Sequence, residues 1–327
     1  MKSGSGIDVT VRAWLPVAAC LSLLLSCSPA KAPPIERDYP LTKITNHVYV
    51  LEGPNQAPNR ENRGFSNNPG FVLVRGGVVV IDPGASVQVG EMLLKKIAGV
   101  TRDPVIAVFD TDLHGDHWLG NQAIKAAYPK AIIYAHPKMI EAIKAGAGES
   151  WVKMMDQATR GASRGTVAVA PDLGVDNDDL LRLHGMSFRI IHNARAHTNN
   201  DIMIEVVQEG VIFLGDIVMN KRIAVGFPEQ VDISGQIAAI DAALKCKASH
   251  FIPGHGASGG REIALAQRDF LVTLHTAVEK YYDQGLSYSE TTDKLQNELA
   301  AYKSWAGFDR LARVVDATYR EVQAESF

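Results

Sequence analysis

The sequence predicts an α/β layered sandwich, with two β-sheets face to face, helices on the outside, and a helical tail behind them. Three features predict it. Short apolar runs of strand length alternate with helical spacing in two successive halves, as far as about residue 256. Several of those runs stop in turns that carry Asp, His and Gly, where side chains from distant segments meet at one face of a sheet. From Arg261 onward only helical spacing remains. The 327 residues are 46% hydrophobic and 21% charged, which suits one large cored domain plus an appendage. A formal net charge of -3, with no basic run, gives no electrostatic case for a nucleic-acid partner.

Taken in order, residues 1–27 read as an address and not as fold. Lys2 and Arg12 supply positive charge, and residues 13–25 are an apolar stretch too short to span a bilayer. Leu24-Leu25-Ser26-Cys27 resembles the lipobox of bacterial lipoprotein signal peptides, which implies cleavage before Cys27 and its acylation. Val17-Ala18-Ala19-Cys20 fits the same box but leaves almost no apolar core ahead of it. Two or more acyl chains, at about 0.8 kcal/mol per buried methylene, would anchor the protein stably. Ser28 resembles the sorting signal for the outer membrane, so the expected location is periplasmic, with membrane contact only through the lipid. Residues 28–42 are expected as a linker, 43–260 as the domain and 261–327 as a C-terminal helical extension. Processing would leave Cys246 as the remaining free thiol, a small buried hydrophobe within a helix and without a disulfide partner.

Residues 46–51 alternate as a half-buried strand. Residues 54–70, rich in Asn, Pro, Arg and Gly, form a loop long enough to be functional. Strands at 71–74 and 78–81 flank the Gly76-Gly77 turn. Asp82-Pro83-Gly84 stops the second of them, and helical spacing follows over 87–97. The buried strand 104–109 runs into Thr111-Asp112-Leu113-His114-Gly115-Asp116-His117 and then a helix over 118–127. A strand at 131–135 and a helix at 137–145 come next, and residues 149–175 read as a helix followed by a loop lying over a site. Strands at 180–183 and 188–191, a hairpin over 202–207 and 211–214, a helix from Ile233 and a strand at 250–253 complete the second half. Apolar positions such as Phe270, Leu274, Leu295, Val314 and Val315 mark the helices of the tail.

The segment 112–117 holds two histidines and two carboxylates on one strand-to-helix turn, and these are ligand types for a borderline cation. Four more strand ends carry comparable groups: Asp82, His197, Asp216 and His255. This order of motifs resembles the metallo-β-lactamase fold superfamily over residues 43–256. The resemblance implies a four-layer αββα sandwich with a catalytic metal site. The family signature is His-x-His-x-Asp-His, and here it reads Asp112-x-His114-x-Asp116-His117, with Asp112 in place of the first histidine. By the same resemblance Asp112, His114 and His197 are expected on a first cation, and Asp116, His117 and His255 on a second. Asp216 would bridge both, as in the branches resembling glyoxalase II, and Asp82 would stand behind the ligand turn. Two Zn2+ are the expected cofactors, although a carboxylate at 112 suits iron or manganese better than imidazole does. The other reading of Asp112 is that it does not ligate and leaves the first site weak or empty.

Such a centre implies a hydroxide held between two cations as nucleophile, because the pKa of water falls to about 7 at zinc. Asp116 is the expected catalytic residue, orienting that nucleophile or shuttling its proton. The expected reaction is hydrolysis of a small molecule such as an ester, thioester or lactone. Two readings compete with it. A class B-type β-lactamase usually carries Cys or Ser where this chain has Asp216. A non-hydrolytic, iron-binding redox or binding protein would use the same ligands without turnover. Trp118-Leu119-Gly120-Asn121 and Trp305-Ala306-Gly307-Phe308 resemble a subgroup of periplasmic metallohydrolases, some of which accompany quinoprotein dehydrogenase or sulfur-oxidation systems. His47, His184, His192, His250 and His275 lack ligand-like neighbours, and His136 is a candidate support behind the ligands. Trp151, Met154 and Met155 read as packing or as an apolar lid, and Arg60, Asn62 and Arg63 as solvated loop groups.

Overall fold

A computed structural model of the chain describes Met1 and residues 30–223 and 227–326. Cys27 and the apolar stretch before it lie outside the described residues. The first half contains β1 (Leu41–Lys43), β2 (Val48–Leu51), β3 (Gly70–Val74), β4 (Gly77–Ile81), α1 (Val87–Ala98) and β5 (Val105–Phe109). It continues through α2 (Gly115–Trp118), α3 (Asn121–Ala127), β6 (Ile132–Ala135), α4 (Pro137–Ala142), α5 (Gly148–Ala158) and β7 (Leu173–Gly174). The second half contains β8 (Leu180–Leu183), β9 (Met186–Ile191), β10 (Met203–Val206), β11 (Val211–Phe213), α6 (Ile233–Lys245) and β12 (His250–Ile252). Then come α7 (Arg261–Asp283), α8 (Tyr288–Glu298) and α9 (Leu311–Glu325). Among the described residues the strands form two sheets, ordered β1-β2-β3-β4-β5-β6-β7 and β12-β11-β10-β9-β8.

The two-residue period of the strands builds the layers. In β4, Val79 and Ile81 share a buried cluster with Phe188, Ile204 and Phe213 of the second sheet. Their neighbours Val78 and Val80 pack instead with Leu93 and Ile97 of α1 and Ile124 of α3. In the second sheet Met203, Ile212 and Phe251 turn outward to Ile240 of α6 and Leu271 and Leu274 of α7. The result is the four-layer αββα sandwich that the resemblance implies, with the helical tail covering α6.

Local structure departs from the sequence reading in two places. The spacing predicts one helix over 118–127, but the chain breaks into α2 and α3 at Leu119-Gly120. There the Gly120 N–H leaves the helical ladder and donates to Gly84 O at 2.7 Å, tying the break to the turn after β4. The helix expected over 137–145 stops at Ala142, and a π-helical turn, Ile143–Ala147, carries the chain into α5. Residues ahead of β1 lie against the first layer, where Tyr39 is buried edge-on against Phe65 at 4.7 Å between ring centroids. Among the described residues no helix is long and apolar enough to cross a membrane.

The tail is docked to the sandwich by the turn that precedes α9. Ile223 N donates to Ala306 O at 2.8 Å, and Ala306 N donates to Lys221 O at 3.0 Å. This approach requires glycine at 307, where φ is +83° and a Cβ would lie 2.1 Å from Ile223 O. Gly285 also has positive φ, +77°, but open space around its would-be Cβ. Gly307→Ala is therefore expected to cost roughly 3 kcal/mol, against about 1 kcal/mol for Gly285→Ala. Equilibrium denaturation of both variants checks this, and equal losses would remove the close-approach argument.

Candidate metal centre

The site is assembled from turns that follow β4, β5, β9, β11 and β12. Asp82, at φ 52°, closes β4. Its Oδ1 accepts from Thr111 N at 2.8 Å, and its Oδ2 accepts from Thr111 Oγ1 at 2.8 Å and faces His117 Nδ1 at 2.8 Å. A carboxylate on Nδ1 fixes the tautomer and turns the Nε2 lone pair of His117 into the site. His255 is set the same way by a carbonyl, with Nδ1 2.7 Å from Ser66 O. Asp116 Oδ2 lies 3.3 Å from His255 Nε2 and accepts from Ser66 Oγ at 3.2 Å.

Asp216 joins these groups. Its Oδ1 is 3.2 Å from His117 Nε2 and 3.2 Å from His255 Nε2, whereas its Oδ2 is 3.5 Å from His197 Nε2 and 4.0 Å from His114 Nδ1. One carboxylate thus offers one oxygen to each pair of histidines. The turn beside it has to be glycine, since a Cβ on Gly254 would lie 2.2 Å from Asp216 Oδ1. Asp112 is fully buried. Its Oδ1 accepts from His114 N at 2.6 Å, and its Oδ2 lies 3.9 Å from His117 Nε2.

Ligand atoms within 4.8 Å of one another group as His114–His197–Asp216, Asp116–His117–His255 and Asp112–His117–Asp216. All seven residues singled out as ligands therefore meet in one cluster, and Asp112 stands between its two sides, grouped with His117 and Asp216 while its Oδ1 lies 3.8 Å from His114 Nδ1. Its short side chain is already committed to the His114 N–H through one oxygen. Asp112 Oδ2, His117 Nε2 and Asp216 Oδ1 are buried with no hydrogen-bond partner. Leaving such atoms unsatisfied costs about 1–3 kcal/mol each, and more where they are charged. They are the donor types of a borderline divalent cation, so the residues present fit one.

Electrostatics point the same way. Burial pushes Asp112 up to about 6, against the pull of His117 and His114. Burial also acts to raise Asp216, but His255 and His117 hold it well below the usual carboxylate range. Asp116 behaves alike, held down by His117 and His255. Burial disfavours a charged His114, yet Asp112 and Asp216 raise it to about 9. His197 falls to about 3 through burial and the neighbouring His114. Protons on His114 sit where a cation would bind, and cation binding would release them.

Several supporting residues are not legible in the sequence. Asn68 Nδ2 donates to Pro253 O at 2.9 Å and Gly256 O at 2.7 Å, bracketing His255. Gln236 Nε2 donates to Ile217 O at 2.9 Å beside Asp216. Asp201 accepts from Thr198 N at 2.7 Å and Thr198 Oγ1 at 2.9 Å, fixing the turn that carries His197. Thr111 and Ser66 belong to the same set. Their signal is slight: Thr111 adjoins the ligand motif, and Ser66 and Asn68 lie in the long early loop. Asn62 of that loop is buried and accepts from Asn59 N and Gly64 N, so it shapes the loop.

Trp151 and Phe227 wall the His114 side, with ring centroids 5.2 and 6.1 Å from the imidazole and 5.8 Å from each other. Met155 is buried in the core with Phe65 and Trp118. His136 and His192 stack at 4.2 Å beside Asp176, apart from the cluster. His136 Nδ1 accepts from Lys138 N and caps α4. Cys246 is partly buried, and burial pushes its thiol up to about 11, which makes it a poor nucleophile.

A family model described as the metallo-beta-lactamase superfamily matches residues 62–255. Among solved structures, a metallo-beta-lactamase from Pontibacter korlensis superposes with a TM-score of 0.58 at 18% identity, over 72% of this chain and 99% of that one. The stereoselective inverting sec-alkylsulfatase Pisa1 from Pseudomonas sp. superposes with a TM-score of 0.65 at 19% identity, over 86% of this chain and 49% of that one. This chain thus spans about half the length of the alkylsulfatase. At these identities the likeness is one of fold. No curated protein matches the sequence.

Replacing Asp82 by Asn removes the charge that orients His117. Cation affinity is expected to fall by roughly 10–100-fold while the fold is retained. Competition with a chromophoric chelator measures it, and an unchanged affinity would mean that His117 is oriented by other groups.

Proposed function

The chain belongs to the metallo-β-lactamase superfamily, and we propose that it is a metal-dependent hydrolase of a small molecule bearing an ester, thioester, lactone or related bond. The observation that carries this reading is Asp216, which directs one oxygen to His117 and His255 and the other to His114 and His197. On this reading His114 and His197 hold one cation, Asp116, His117 and His255 hold another, and Asp216 is shared. Zinc is the expected ion, with iron or manganese favoured by the added carboxylate of Asp112. When bound, such cations supply Lewis acidity toward the oxygen of the scissile group and lower the pKa of water.

The chain's own residues have separable roles in this proposal. Asp82 and the Ser66 carbonyl hold His117 and His255 in one tautomer each, so neither ring has to reorient during turnover. Asp116 is pinned through Oδ2 by Ser66 and His255, leaving Oδ1 to orient an attacking water and take its proton. Trp151 and Phe227 exclude water beside His114 and offer a flat apolar surface to the substrate. The β-lactamase reading is weaker because of Asp216. Acylation at Cys27 and a periplasmic location are part of the same proposal and rest on the N-terminal sequence alone.

Elemental analysis of the purified protein is expected to find about two transition-metal ions per chain. A panel of thioesters, lactones, aryl esters and sulfate esters, with nitrocefin as the β-lactam arm, is expected to yield at least one hydrolysed substrate outside the β-lactam. His117→Ala and Asp216→Ala should each lower turnover by at least about 100-fold and reduce bound metal. Wild-type turnover in either variant would overturn the two-cation reading. Full metal loading with no panel member hydrolysed would favour the binding or redox role.

A further inference from the structure

We propose that a second concavity, at the junction of the sandwich with its helical tail, binds the anionic group of a small molecule. It has a volume of about 380 Å³ and lies between the early loop at residues 55–58, Arg222, and the turn that enters α9. Three arginines line it, the half-buried Arg222 and the exposed Arg310 and Arg313, together with one acidic residue, Asp309. None of the three arginines has a carboxylate oxygen within 4.0 Å among the described residues. Elsewhere in the tail Arg320 pairs with Asp316 at 3.0 Å and Arg268 with Asp241 at 2.5 Å, while Arg261 donates to the Leu244 carbonyl at 2.7 Å. Arg222 Nη1 makes only long contacts, 3.4 Å to Asn55 Oδ1 and 3.4 Å to Gln56 O, both neutral acceptors. Like charges gathered in one cavity create a positive potential that an oxyanion relieves, and guanidinium is the group best shaped to hold one.

The cavity is built into the fold. Its floor is the backbone bridge between Arg222 and Ala306, flanked by the Ile223–Ala306 and Ala306–Lys221 hydrogen bonds and closed by Gly307. Ala306 and Gly307, from the Trp305-Ala306-Gly307-Phe308 string singled out in the sequence and given no role in the metal centre, belong to this floor. Arg310 is the N-cap of the 15-residue α9 and makes no side-chain cap, so the helix dipole adds to the same sign. The volume exceeds that of an inorganic ion and falls at the lower end for small-ligand pockets, which points to a small organic carboxylate, sulfate or phosphate. Two residues before Arg222, the chain is tied to the metal centre. Asn220 N donates to His255 O at 2.9 Å, and Ser66 lies on the same early loop. The inference does not depend on the hydrolase reading, because it concerns binding alone.

The test is calorimetric titration of the full-length, metal-loaded protein with phosphate, sulfate and succinate, at ionic strength held constant with sodium chloride. Fluorescence of Trp305, next to the floor, gives a second readout. Saturable binding of at least one of the three is expected, weakened about tenfold or more in Arg310→Gln/Arg313→Gln and also weakened in Arg222→Gln. Arg102→Gln/Arg182→Gln removes the same charge from exposed positions elsewhere and is expected to bind as wild type. Absence of saturable binding to all three anions, or equal loss in the two double variants, would overturn the proposal. Thermal unfolding of each variant separates lost binding from lost fold.

Discussion

The carboxylate of Asp216 is the point on which the two halves of the sandwich converge. It stands at the end of β11 in the second sheet, yet His117 and His114 reach it from the turn after β5 in the first. Those turns meet only because the sheets are held face to face by Val79, Ile81 and Phe109 on one side and Phe188, Ile204 and Phe213 on the other. The apolar core fixes the spacing of the sheets, and the spacing of the sheets fixes the ligand distances. A change in core volume would therefore reach the site through the strand ends, without touching a ligand.

The cluster is costly to the apoprotein. Asp112 and His117 are wholly buried, as is Asp110 behind them, and burial works against every charge there. The surrounding turns hold the groups in place with directional bonds: Asn68 across the His255 turn, Gln236 behind Asp216, and Asp82 and Thr111 behind His117. An arrangement that is locally unfavourable and globally over-determined is what a preorganised site requires. Cations would offset part of that cost, which links occupancy to stability.

How much of this was legible depended on the range of the interaction. Each principal ligand sits near the end of an apolar strand, so period and composition mark His114, His117, His197, Asp216 and His255, with Asp82 behind them, as groups able to meet at one face; the family resemblance supplied their grouping, and the same period separates the two faces of each sheet. The supports are different in kind. Asn68 acts on carbonyls 185 and 188 residues away, and nothing in the local sequence marks it. The break between α2 and α3 depends on Gly120 bonding to Gly84, a tertiary contact that overrides helical spacing. The place of Asp112 was also hidden. The residue matches a family position for a ligand of the His114 group, and one oxygen both caps the His114 N–H and lies 3.8 Å from His114 Nδ1, while the other stands beside His117 and Asp216.

The two halves of the centre are unequal in their surroundings. Around His117 stand Asp112, Asp116 and Asp216, three carboxylates whose oxygens favour a harder ion. Around His114 and His197, Asp216 is shared, Asp112 Oδ1 lies 3.8 Å from His114 Nδ1, and Trp151 and Phe227 wall the same side. Under the proposed two-cation reading, the position at His117 and His255 has more carboxylates around it, and the position at His114 and His197 lies nearer the apolar wall. The position beside His114 is the one where an apolar substituent of a substrate would find a surface to rest on. Asp112, 3.8 Å from His114 and 3.9 Å from His117, would add its charge to both positions, and selectivity for the reacting molecule would arise on the side walled by Trp151 and Phe227.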